Sequence, residues 1–201
     1  MNLVRLLYLS LVSPRLAVLE VEGSFHFSYL LLSLFGFTLS QAALLISSSL
    51  VEDSWLKAGP FFLELGGSVL TGIVQVIFIG LMIHVVLSKK VDGWVFPKML
   101  TSFFLVQMPF AYLVGVSILS QSIDIYAQNP ALGMTFFLIF SAFLFGFVIY
   151  HLGKGIQIHY QADSWVQAFS ILAISLFLAV FLQFAASAGM LLTLIASLLS
   201  L

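Results

Sequence analysis

The sequence predicts an all-α, polytopic membrane helix bundle: five transmembrane helices preceded by a short amphipathic N-terminal segment. Three observations predict it. Of 201 residues, 62% are hydrophobic and only 7% are charged, whereas a soluble domain carries about 25% charged residues. The apolar runs are long, each near the roughly 20 residues that a helix needs to cross hydrocarbon. They are also uniform, rich in Leu, Phe and Ile, without the alternation of barrel strands. An unpaired backbone amide is costly in hydrocarbon, so only helices and closed barrels can span, and the pattern selects helices. The runs consume the chain and leave one membrane domain over residues 1–201.

Residues 1–26 form an interfacial entry. The opening MNLVRLLYLSLVSPR differs from a signal peptide because Arg5 lies within the apolar run and no small-x-small cleavage site follows, so it is read as retained. Ser13-Pro14 is a helix-start signal, a cap and then a first-turn proline. A second short helix over about 14–22 carries Arg15, Glu20 and Glu22. Both pieces are too short to span and are expected to lie along the interface.

The first span is expected over 27–50, ended by Glu52, Asp53, Trp55 and Lys57, with a turn at Gly59-Pro60. The second covers 61–87 and stops at Ser88-Lys89-Lys90; Asp92-Gly93 turns the chain and Trp94 sits at the interface. The third covers 98–119, after Pro97, and the fourth 131–152, after Pro130, ending at Gly153-Lys154-Gly155. The fifth covers 165–188. From Trp165 to the last residue a continuous helix would run about 55 Å, too long for a hydrocarbon core of about 30 Å. Residues 189–201 are therefore read as an apolar tail.

Lys and Arg set the orientation. With the N-terminus cytoplasmic, Arg5, Arg15, Lys89, Lys90, Lys98 and Lys154 lie inside and only Lys57 lies outside. This places the C-terminus outside, and the expected location is a prokaryotic cytoplasmic membrane. The net charge of −1 and the lack of a basic stretch give no footing for nucleic acid. Cysteine is absent, which excludes disulfides and thiolate metal sites.

Polar groups inside spans are the candidates for function, because each has a cost that needs a reason. Gln41, Gln75 and Gln107 fall near the middle of spans one, two and three. They form an expected midplane cluster, either as hydrogen-bonded glue between helices or as a polar patch in a solute path. Gln75 and Gln107 are expected within reach of each other or of a shared partner. Glu64 is the one acid within a span, near its outer end, where it anchors at the headgroups or couples an ion. His84, His151 and His159 gather toward the cytoplasmic side as weak metal candidates. They lack the i, i+4 spacing of a helical ligand pair, and no metal or cofactor is expected; His26 reads as interfacial. Span two is rich in small residues. Ser68 with Gly72, and Gly67 with Thr71, predict close helix packing and a central position for this span. Pro109 is expected to kink span three. No GxSxG elbow, HExxH, phosphate loop or pair of acids at one depth is present, so no enzyme is expected.

The arrangement resembles the Yip family (Ypt-interacting proteins), in its short prokaryotic form. The segments that carry the resemblance are LVSPRLAVLEVEG before span one, IGLMIHVVLSKKVDGW closing span two, Gln107-Met108-Pro109 in span three, and VIYHLGKGIQIHYQADSWVQAF from span four into span five. The resemblance implies five spans, a cytoplasmic N-terminus and no enzymatic activity. Eukaryotic members act in membrane traffic and bind prenylated small GTPases. This chain lacks their long hydrophilic N-terminal region and their Asp-Leu-Tyr-Gly-Pro motif, of which only Gly59-Pro60 stands here, so GTPase binding does not carry over. The expected function is a non-enzymatic multi-span protein that organises or binds other membrane components, lipids or proteins. The alternatives are a small-solute or ion transporter using the midplane glutamines, and a membrane subunit of a larger complex.

Overall fold

The computed structural model describes residues 3–51, 58–87 and 94–181, and these are helical apart from turns, with no strand among them. The elements are α1 (Leu3–Val12), α2 (Pro14–Gly23), α3 (Phe27–Val51), α4 (Ala58–Leu87), α5 (Val95–Val106), a 3-10 turn (Met108–Ala111), α6 (Tyr112–Ala127) and α7 (Pro130–His159). A last helix, α8, runs from Trp165 to Phe181. The chain is an all-α membrane bundle. Four stretches are long and apolar enough to cross: Phe27–Leu50, Pro60–Leu87, Val95–Ala127 and Ala131–His159. The expected fifth span is helical as far as it is described; its end, the tail 189–201, and the turns at 52–57 and 88–93 lie outside the described residues.

Several helices overrun the expected spans. α5 begins at Val95 rather than after Pro97, because a proline in the first turn removes an N–H that has no intrahelical partner anyway. α7 continues through Gly153 and Gly155 to His159. A helical glycine costs only about 1 kcal/mol, and here both are contact points. A Cβ on Gly153 would stand 2.6 Å from the Phe169 ring, and one on Gly155 would touch Val18. At the other end, Asn129 caps α7 by accepting from the Ala131 N–H, and Asp124 accepts from the Gly133 N–H at 2.8 Å. These bonds close a tight hairpin between α6 and α7.

Span three, not span two, is the centre of the bundle. Val95–Ala127 buries 61% of its most apolar stretch, against 22% for Pro60–Leu87. The chain packs α3 on one side of span three and α7 on the other, while α4 rests on α3 and α5. The small residues of α4 divide. Gly72 and Gly80 are close approaches, to Phe37 and to Met99 respectively, whereas Gly66 and Gly67 have nothing within 4 Å of an added Cβ. A small side chain permits contact without requiring it, which is why the pattern overstated the burial of span two.

Pro109 lies in the 3-10 turn that divides α5 from α6. Its missing N–H removes a ladder bond, and the chain answers with shorter-range bonds, such as that from the Phe110 N–H to the Gln107 carbonyl at 3.0 Å.

The N-terminal helices α1 and α2 fold as a hairpin beside span three. Leu6 packs with Ala17, Val21, Tyr29 and Leu105, and Tyr112 donates to the Leu11 carbonyl at 3.3 Å. The hairpin therefore descends from the lysine-bearing end to the level of the 3-10 turn. Pro14 is the first residue of α2, as expected, but the Ser13 side chain makes no cap bond; its carbonyl accepts from Leu16 and Ala17. Ala17, Val18 and Val21 are buried, and this apolar stripe, facing α5 and α7, draws the hairpin inward.

Candidate functional site

α3 and α7 run antiparallel on either side of span three, and α4 faces α7 without packing against it as closely as it packs on α3 and α5. The space between them is a cavity of about 510 Å³. Gln41 enters it from α3, Ser68, Thr71 and Gln75 from α4, and Gln107 from the break in span three. Phe37, Phe103, Phe110 and Phe145 supply aromatic walls, and α8 closes it with Leu172 and Leu176. The structure thus brings all three midplane glutamines to one cavity.

The polar atoms have defined geometry. Ser68 Oγ donates to Gln41 Oε1 at 2.8 Å. Gln107 Nε2 donates to the Phe103 carbonyl of its own helix at 3.3 Å. A primary amide carries two donors and one acceptor. With its oxygen engaged by Ser68, Gln41 has donors to offer, while Gln107, with a donor engaged, has its oxygen to offer. The described residues that line the cavity include no acid, base or histidine. Glu64 is exposed on α4 and does not line it.

The histidines are dispersed. His84 Nδ1 meets the Tyr160 hydroxyl at 3.0 Å. His151 Nδ1 meets the Phe147 carbonyl at 2.9 Å, within its own helix. His159 is occupied on both ring nitrogens, by Ser102 Oγ at 2.7 Å and by Glu22 Oε2 at 2.6 Å. His26 lies edge-on to Tyr29. Among the described residues no three His, Asp or Glu side chains could hold a metal ion together.

The His159 contacts form a clamp that sequence reasoning did not find. Glu22, at the end of α2, also pairs with Lys98 at 3.3 Å, and Lys98 reaches the Glu22 carbonyl at 3.0 Å. The hydrogen bond from His159 holds the Glu22 carboxyl below the usual carboxylate range; the charges of His159 and Lys98 add to this, and partial burial opposes it. One hint existed in the sequence: Lys98 and Ser102 are one helical turn apart, on one face of α5. Beside the clamp is a cavity of about 780 Å³, whose lining includes His26, Trp94 and Gln161. Hydroxyl, imidazole and carboxylate stand here in the order of a hydrolytic triad. Ser102, however, is fully buried and His159 is 1% exposed, and Ser102 lies inside α5, where backbone N–H groups are already bonded.

No family model, curated protein or solved structure matches the chain.

Proposed function

We propose that this chain is a non-enzymatic membrane protein of the Yip type whose midplane cavity receives the uncharged, hydrogen-bonding head of a membrane amphiphile. One observation carries the reading: Gln41, Gln75, Gln107, Ser68 and Thr71 converge on an otherwise apolar cavity between α4 and α7. An ionised head buried there would meet no counter-charge among the described lining residues, at a large desolvation cost. Amides suit hydroxyl and carbonyl partners, which they bond without a net charge. The aromatic and aliphatic walls suit the start of an acyl chain. For the same reason ion coupling through Glu64 loses its support, since Glu64 stands away from the cavity.

The non-enzymatic reading is supported by the burial of Ser102, which leaves a substrate carbonyl no approach, and the Yip-type reading by the four sequence segments quoted above. The cytoplasmic N-terminus rests on the bias of Lys and Arg toward one end of the bundle, and the prokaryotic membrane on the likeness to the short prokaryotic Yip type.

The test is native mass spectrometry of the purified chain titrated with a glucosyl-headed lipid and with an anionic phosphatidylglycerol. The proposal expects saturable binding of the neutral lipid at one site per chain and only weak binding of the anionic one. Equal binding of both overturns it.

A further inference from the structure

A second cavity of about 300 Å³ lies next to the first, and Phe145 lines both. Its polar lining is Ser47, Ser48 and Ser141, again with no charged residue among those described. The register shows how the two are stacked. α3 gives Phe37 and Gln41 to the first cavity and Leu44 and Ser47 to the second; α7 gives Leu152 and Val148 to the first and Ser141 and Phe137 to the second. Because α3 and α7 are antiparallel, both series step toward the Asp124 end of the bundle. From Gln41 to Ser47 the step is about 9 Å along the helix.

Two features mark the boundary between the cavities. The rings of Phe110 and Phe145 meet there with centroids 4.8 Å apart. Phe110 is carried by the 3-10 turn at Pro109, and a 3-10 stretch within a helix often marks a hinge. Beyond the ring pair, Ser141 Oγ is buried and has no hydrogen-bond partner among the described residues. Such an orphaned hydroxyl calls for an unseen partner, a water or a ligand group.

We infer that the two cavities are successive stations on one route, along which the uncharged, hydroxyl-bearing head of an amphiphile crosses the bilayer, closed at rest by the Phe110–Phe145 pair. The inference rests on the reading of the first cavity as a head-binding site. The head exchanges hydrogen bonds with Gln41, Gln75 and Gln107 for hydrogen bonds with Ser47 and Ser141, while its chains stay in lipid. Movement of the 3-10 turn withdraws Phe110 and joins the stations.

The test uses the full chain reconstituted in vesicles that contain glucosylceramide with a nitrobenzoxadiazole-labelled chain; dithionite quenching reads transfer between leaflets. Wild type is expected to speed transfer of this lipid and not of a labelled phosphatidylglycerol. Phe145→Ala should raise the rate several-fold. Phe110→Trp should lower it several-fold, and so should Ser141→Val, whose side chain lines only the second cavity and whose binding by native mass spectrometry should stay at the wild-type level. Binding without transfer, or transfer that none of the three substitutions alters, overturns the route and leaves the binding site standing. Absence of binding removes both.

Discussion

Gln75 and Gln107 separate a structural role from a functional one. Interhelical hydrogen bonds in membranes average about 0.6 kcal/mol, so replacing both with leucine should lower thermal stability in detergent only slightly. Binding should suffer more. Two hydrogen bonds at about 0.5–1.5 kcal/mol each correspond to a loss of affinity of roughly 5-fold to 150-fold. A titration of Gln75→Leu/Gln107→Leu with the glucosyl lipid reads this directly, and unaltered affinity would return the glutamines to the role of glue. The clamp makes two further predictions. Ser102→Ala leaves the buried His159 Nε2 without its partner, at a cost of about 1–3 kcal/mol, read as a lowered melting temperature. The Glu22 carboxyl is held below its ordinary value, so protonation disfavours the folded state. Its contribution is intact at neutral pH and is lost as pH falls below about 4. In a melting series from pH 7 to pH 3.5, Glu22→Gln should start lower and show a flatter decline.

Helix contacts decide which small residues matter. On α4 a Cβ at Gly72 would stand 2.5 Å from Cζ of Phe37, itself 1% exposed, while a Cβ at Gly66 meets nothing within 4 Å. Gly72→Ala should therefore overpack the α3–α4 contact and cost about 1–3 kcal/mol. Gly66→Ala should be neutral or stabilising, since alanine favours helix by about 1 kcal/mol. Equal melting temperatures for the two variants would refute this division. The same helices show what was legible beforehand. The four long spans followed from apolar run length, and the depth of Gln41, Gln75 and Gln107 followed from counting along each run, because a helix converts residue number into height. Two features were not legible. The packing of the α1–α2 hairpin against the bundle is one: the partners of Glu22 are Lys98, 76 residues away, and His159, 137 residues away. Span two's glycines were visible, but whether Gly67 faces a helix or a cavity depends on where α7 stands, which no local pattern encodes.

The bundle as a whole has a polar interior stripe within a lipid-facing shell. Exposed apolar side chains such as Leu70, Val74, Leu138 and Phe143 meet hydrocarbon, whereas the glutamines turn toward the groove between α4 and α7. The ends of the bundle differ in charge: Arg5, Lys98 and Lys154 belong to the end where α2 stops and α5 starts, and Asp124 to the other. Reporter fusions after Gly155 should accordingly read cytoplasmic, and fusions after Asp124 external; the reverse would invert the proposed orientation. The central claim concerns what the groove holds. Its most direct test is photo-crosslinking of the reconstituted chain with a glucosyl-headed lipid that carries a diazirine close to the head, followed by peptide mapping. The account predicts labelling concentrated on Thr71–Ile79 of α4 and Phe145–Leu152 of α7, competed by unlabelled neutral lipid and strongly reduced by Gln75→Leu/Gln107→Leu. Labelling spread evenly over the lipid-facing residues and unaffected by that double substitution would contradict it.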